Sequence, residues 1–151
     1  MSLPNLSDLL TKETVIVNVS VSDYKDAIRK AGNLLVKAGA AEPRYIEAMV
    51  KFCELYKAYI VIIPHIAIPH AKPEDGMKRV SFSLITLKNP VYFGHPDNDP
   101  VDLVIAFGGS DHSSHLKALA QLAEMLKDQE AVEKIRRAKT KEEVLEVIAR
   151  F

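Results

Sequence analysis

Five histidines hold most of the chemistry open to this chain: His65, His70, His95, His112 and His115. A lone histidine is more often a surface or packed residue than a working one, but two features here raise the odds. His65 and His70 flank the stretch Ile66-Ala67-Ile68-Pro69, inside a run from Ala58 to Ala71 that contains no Asp, Glu, Lys or Arg. Pro69 stiffens the backbone beside His70. His112 and His115 follow Gly108-Gly109, at the start of a leucine-rich helical pattern. In open α/β sheets ligand chemistry gathers where strands end and helices begin. Helix starts add free N–H groups and a positive dipole end, which favour an anion such as phosphate.

Three chemistries could use such histidines. Imidazoles can ligate zinc, yet no HExxH or Cys-rich spacing accompanies them. Acid–base hydrolysis has Ser81, Ser110 and Asp111 to draw on, without a GxSxG elbow around a serine. Phosphoryl transfer through a histidine needs one neutral imidazole to attack phosphorus, with its other nitrogen held by a hydrogen bond. A second imidazole can then stabilise the phosphoryl charge. No nucleotide loop is required, and neither GxxxxGK[ST] nor GxGxxG occurs.

The elements that must position these residues can be read from pattern. Thr14–Val19 is β-branched and reads as a strand. Ser22 can cap a helix with Tyr24, Ala27, Ile28, Ala31, Leu34, Leu35 and Ala38 on one face, ended by Gly39. Pro43 opens a second helix whose stripe is Ile46, Met49, Val50 and Cys53. Tyr59–Ile63 reads as a buried strand bounded by Pro64. Val80, Phe82 and Leu84 alternate with Ser81 and Ser83, which predicts a half-exposed strand. Asn89–Pro100 is loop-like, and Val101–Phe107 is a strand. Ser113 or Ser114 caps a helix with Leu116, Leu119, Leu122, Ala123 and Leu126 on one face. A short helix near Ala131–Ala138 follows, then a last one with Thr140 and Glu143 at capping-box spacing. The order strand, two helices, three strands, three helices predicts an α/β domain with helices covering a small mixed sheet.

Composition narrows the classes. The 151 residues suit a single domain, residues 1–151, with no repeat or linker. Lys+Arg and Asp+Glu both number 20, so the surplus of positive charge that nucleic acid demands is missing. A single cysteine, Cys53, excludes an internal disulfide and fits a reducing cytosol. The Met-Ser-Leu-Pro start has no secretion pattern, and the uncharged run is too short for a membrane span of roughly 20 residues. A cytoplasmic protein is expected, with its oligomeric state left open.

The residues also carry a resemblance. Ile66-Ala67-Ile68-Pro69-His70-Ala71 resembles the active-site signature of the enzyme IIA components of the sugar phosphotransferase system, mannitol/fructose class. His115-Leu116-Lys117-Ala118-Leu119-Ala120-Gln121-Leu122-Ala123 resembles that family's second block. Tyr59-Ile60-Val61-Ile62-Ile63-Pro64, Lys72-Pro73-Glu74 and Asn98-Asp99-Pro100-Val101 are similar to the ascorbate-type branch. The resemblance covers nearly the whole chain. It implies a three-layer α/β/α sandwich and no cofactor. It also implies a route: His70 accepts a phosphoryl group from the carrier protein HPr and passes it to a cysteine of enzyme IIB, for a sugar carried in by the membrane enzyme IIC. His115 would hydrogen-bond that phosphoryl group. Two departures stand out. Mannitol-type members carry an arginine upstream of the signature, where Lys51-Phe52-Cys53-Glu54-Leu55 stands here, which turns attention to Lys51 and Lys72. The usual glycine before the signature is His65, which would either crowd the site, add a donor or sit in an exposed loop. A nitrogen-type regulatory IIA module and a zinc hydrolase built on His65, His70, His112 and His115 are the competing readings.

Overall fold

Alternating and continuous apolar segments assemble into one mixed sheet in the computed structural model, which describes residues 3–151. Met1 and Ser2, the first half of the Met-Ser-Leu-Pro start, lie outside the described residues. The strands β1 (Val15–Val19), β2 (Ile66–Ala67), β3 (Ser81–Val91) and β4 (Val101–Gly108) run in the order β1-β3-β4-β2. β1 lies parallel to β3, β3 antiparallel to β4, and β2 parallel to β4 with Ile66 opposite Leu103. Six helices are α1 (Leu6–Leu9), α2 (Tyr24–Lys37), α3 (Pro43–Leu55), α4 (Leu116–Lys127), α5 (Gln129–Arg137) and α6 (Lys141–Ile148).

Side chains alternate across the sheet, and each face has its own core. Phe82, Leu84, Leu103 and Ile105 pack with residues of α1, α4, α5 and α6. Ile85, Val104 and Ala106 pack with residues of α2 and α3. The expected helices on both faces of a mixed sheet are therefore present. Leu6 N–H donates to the Gln121 side chain at 2.6 Å, fastening α1, an unforeseen element, to α4.

The ends of the elements follow from capping. Asp23, rather than Ser22, caps α2 by accepting from Asp26 N–H at 2.8 Å. Pro43 opens α3 as expected, and Thr140 accepts from Glu143 N–H at 3.3 Å to start α6. The inward stripe of α3 contains Tyr45 in place of Ile46, beside Met49, Val50 and Cys53. α4 begins after His115, not at a serine, and it buries Ala118, Leu122, Met125 and Leu126 while Leu116 is left 53% exposed. Its leucine-rich pattern is too wide to select one face by spacing.

Two further expectations are corrected. Tyr59–Ile63 is not a strand: Lys57–Tyr59 is a 3₁₀ turn, and Tyr59 and Ile62 are 67% and 54% exposed. Ile60 and Val61 are buried, but Pro64 lacks an N–H and pairing with β4 begins only at Ile66. The strand therefore lies inside the signature itself. β3 is not half-exposed either. Ser81 and Ser83 are buried because helices cover both faces, and the Ser83 hydroxyl donates to the Ala31 carbonyl of α2 at 2.7 Å. β3 also runs on to Val91, past the predicted start of the loop.

That buried hydroxyl carries a stability consequence. Ser83→Ala should lower unfolding free energy by about 1 kcal/mol, the usual net worth of one intramolecular hydrogen bond, measured as a shifted urea midpoint at constant slope.

Candidate active site

His70 lies just past the carboxyl end of β2, and its backbone is pinned to the end of β4 from both sides. Phe107 N–H donates to the Pro69 carbonyl at 3.1 Å. Ala71 N–H donates to the Tyr45 hydroxyl at 3.0 Å, and that hydroxyl donates to the Phe107 carbonyl at 2.8 Å. Tyr45 is fully buried, and burial pushes its phenol far above the usual tyrosine range, so it remains a donor. Gly108 permits this arrangement. A Cβ there would stand 2.5 Å from the Tyr45 hydroxyl and 2.6 Å from Met77 Cγ.

The His70 ring is fixed in orientation and in tautomer. Nδ1 lies 2.9 Å from the Ile68 carbonyl. A carbonyl oxygen only accepts, so Nδ1 carries the hydrogen and the neutral ring presents a bare Nε2. Phe107 stacks on the ring at 4.9 Å between centroids, and Phe52 tilts against it at 5.1 Å. The ring is half-buried, and its pKa lies below the ordinary 6.5. Burial is the main cause, the Ile68 carbonyl opposes it, and a positive charge on nearby His115 would lower it further. His70 is thus uncharged at neutral pH, with Nε2 free.

His115 closes the other side. Its ring packs on the same Phe107 at 5.6 Å, and the residue forms the N-cap of α4. The two imidazoles therefore share one phenyl ring at the positive end of a helix dipole. Below Phe52 a cavity of about 480 Å³ opens, with Leu55, Tyr56 and Tyr59 on its apolar side and Lys51 and Lys72 on its rim. Neither lysine is in an ion pair with a described residue.

The other histidines do other work. His65 sits exposed at the opposite, amino end of β2, and its Nδ1 bonds the Pro100 carbonyl at 2.7 Å. Its φ is +70°, a left-handed conformation that glycine adopts freely. It neither crowds nor serves His70. His95 Nδ1 accepts from Asp97 and Asn98 N–H at 3.1 and 3.0 Å and shapes its own loop. His112 is exposed. Among the described residues no three His, Cys, Asp or Glu side chains are grouped to hold a metal ion. Cys53 is buried, and burial pushes its thiol up to about 12, so it is a packing residue. Tyr45, Phe52 and Phe107 escaped the sequence reading. The one available signal was an aromatic residue with a polar tip, Tyr45, next to the helical stripe.

Comparison with known proteins gives the family and its fold. Residues 8–151 match the model of the family described as "Phosphoenolpyruvate-dependent sugar phosphotransferase system, EIIA 2". The ascorbate-specific PTS system EIIA component of Escherichia coli K12 is 36% identical over 143 residues, which is 94% of this chain and 93% of that protein. The solution structure of the mannitol-specific cryptic phosphotransferase enzyme IIA CmtB from Escherichia coli superposes with a TM-score of 0.88. It is 29% identical and covers 98% of this chain and all of its own. The Escherichia coli complex of mannitol enzyme IIA with phosphorylated enzyme IIB gives a TM-score of 0.77 at 26% identity, covering 95% of this chain and all of that one.

Two measurements probe the pinned histidine. Tyr45→Phe leaves the Ala71 N–H and Phe107 carbonyl unpaired in a buried place and should cost about 1–3 kcal/mol of stability in denaturant. The His70 imidazole should titrate below 6.5 by NMR, because its folded pKa is depressed. Below pH 6.5 the unfolded chain then binds more protons than the folded one, so stability is lost as pH falls through the folded midpoint. His70→Ala should flatten that acid limb. A His70 midpoint at or above 6.5 would contradict the buried, neutral ring.

Proposed function

We propose a function from one premise: the chain belongs to the EIIA 2 family of the phosphoenolpyruvate-dependent sugar phosphotransferase system. Within that family it is a phosphocarrier for sugar uptake, and residues 1–151 act as one EIIA type 2 domain. His70 Nε2 attacks the phosphorus of phosphohistidine on HPr. A new N–P bond forms as the donor's N–P bond breaks, and the electron pair leaves with the donor imidazole. His115 donates a hydrogen bond to the phosphoryl oxygens while His70 carries them. In the second step a cysteine thiolate of enzyme IIB attacks the same phosphorus, and His70 leaves as neutral imidazole. The membrane enzyme IIC then moves the sugar.

The observation that carries this reading is the neutral His70 with a bare Nε2 beside a second imidazole. The unpaired Lys51 and Lys72 on the neighbouring rim supply the positive charge a phosphoryl dianion needs. The 36%-identical relatives named for ascorbate favour L-ascorbate as the sugar and favour transport over a purely regulatory role. A zinc hydrolase on His65, His70, His112 and His115 is disfavoured by the place of His65 at the far end of β2. No helix among the described residues is long and apolar enough to cross a membrane, in keeping with a cytoplasmic partner of a membrane enzyme.

Incubation with phosphoenolpyruvate, its kinase and HPr tests the assignment. The expected product is an acid-labile, base-stable label on the protein. His70→Ala should abolish it, His115→Ala should slow it by about 10²-fold, the lower range for a positioned charge-stabilising group, and His65→Ala should leave it unchanged. Onward transfer to a cysteine of an ascorbate-type IIB should follow. A label surviving His70→Ala would falsify the assignment.

A further inference from the structure

We propose that Ser114 sets the tautomer of His115, and that the missing side chain of Gly109 lets the two groups meet. The functional part of this inference rests on the reading of His115 as a phosphoryl hydrogen-bond donor. Ser114 Oγ and His115 Nδ1 are both buried, and neither has a hydrogen-bond partner among the described residues. Both converge on one point: a Cβ on Gly109 would stand 2.9 Å from Ser114 Oγ and 3.0 Å from His115 Nδ1. An unpaired buried polar atom is costly, and a hydrogen bond between the hydroxyl and the imidazole would satisfy both atoms at once.

The direction of that bond matters. If Ser114 O–H donates to Nδ1, the neutral His115 ring must carry its hydrogen on Nε2. Nδ1 faces Gly109, so Nε2 is the nitrogen left for the phosphoryl group. His70 and His115 then form a pair of opposite tautomers, one with a bare Nε2 to attack and one with an Nε2–H to donate. Two acceptors compete. The Asp111 carboxylate already takes Ser113 and Ser114 N–H at 2.9 and 2.7 Å and could also draw the hydroxyl. The Asp111 carbonyl, 3.2 Å from the same Gly109 point, could accept from an Nδ1–H and reverse the tautomer. Oδ1 of the Asp111 carboxylate already takes three donors, Ser113 N–H, the Ser113 hydroxyl and Ser114 N–H, whereas His115 Nδ1 has none, and this favours the Ser114–His115 bond.

Gly109 is a useful probe, because its φ lies outside the left-handed range and the nearest atoms an alanine Cβ would meet are Ser114 Oγ, His115 Nδ1 and the Asp111 carbonyl. Long-range ¹H–¹⁵N spectra of the unphosphorylated protein above its histidine titrations read the tautomers directly. The expected result is Nε2–H for His115 and Nδ1–H for His70. Ser114→Ala should turn His115 into a tautomer mixture and slow phosphoryl transfer to His70 by about tenfold, the scale of one hydrogen bond, while Ser114→Thr restores both. Gly109→Ala should slow transfer similarly, with no added effect in a His115→Ala background. An Nδ1–H form of His115 in the wild type, or an unchanged His115 spectrum in Ser114→Ala, overturns the proposal. Unchanged transfer in His115→Ala instead overturns the phosphoryl-donor reading, and the tautomer result stands or falls separately.

Discussion

The hydrogen bond from His70 Nδ1–H to the Ile68 carbonyl spans only two residues, and it survives only while the backbone between them holds its course. Pro69 fixes φ within that span. The Pro69 carbonyl is tied to Phe107 N–H, and the Tyr45 hydroxyl joins Ala71 N–H to the Phe107 carbonyl. Every one of these partners belongs to the end of β4 or to a helix packed on it. The orientation of the His70 ring is thus set by the end of β4: if that end moved, the Ile68 carbonyl would turn and His70 would lose its single tautomer. The two-residue strand β2 is too short to hold the loop by its own ladder, so the side-chain bridge from α3 does that work.

Charge explains the rest of the site. Burial keeps the imidazole neutral, which suits attack, but the phosphorylated product would bring roughly two negative charges into the same half-buried place. A helix N-terminus is worth about 0.3–1 kcal/mol toward an anion in an exposed setting, whereas a hydrogen bond to a charged group is worth about 1.5–3 kcal/mol. The imidazole of His115 therefore outweighs the α4 dipole on which it sits, and the dipole mainly reinforces it.

What the sequence could reveal tracks what spacing encodes. The helices α2, α3, α5 and α6 were legible because stripes such as Ala27, Ile28, Ala31, Leu34 and Leu35 repeat at helical period and end at caps or Pro43. His70 and His115 were legible because each stands at an abrupt change of pattern. β2 was misplaced because an apolar run does not say which of its residues pair, and Ile60 and Val61 are buried without a ladder. The serines of β3 read as solvent-facing, since period two cannot distinguish water from a second helical layer that supplies an acceptor such as the Ala31 carbonyl. Tyr45 was invisible for a related reason. Its value lies in two partners far apart in the chain, and no local pattern records a hydroxyl between Ala71 and Phe107.

The packing around His70 also constrains how a phosphorus atom can arrive. Phe107 stacks on the ring, Phe52 leans on it, and the Ile68 carbonyl occupies the Nδ1 edge. The Nε2 edge remains, and the lone pair there lies in the ring plane, which is the line an in-line displacement must follow. In the proposed function the same line would serve both transfers, since donor and acceptor would each meet the phosphorus on the face opposite His70 Nε2. Rigidity in the ring then stands in for flexibility in the partners. In the proposed function a macromolecular donor would bring its own phosphohistidine to a fixed edge, and the exposed apolar side chains Leu55, Tyr59 and Leu116 would give it a surface to rest on. The His70 imidazole does not have to move at all.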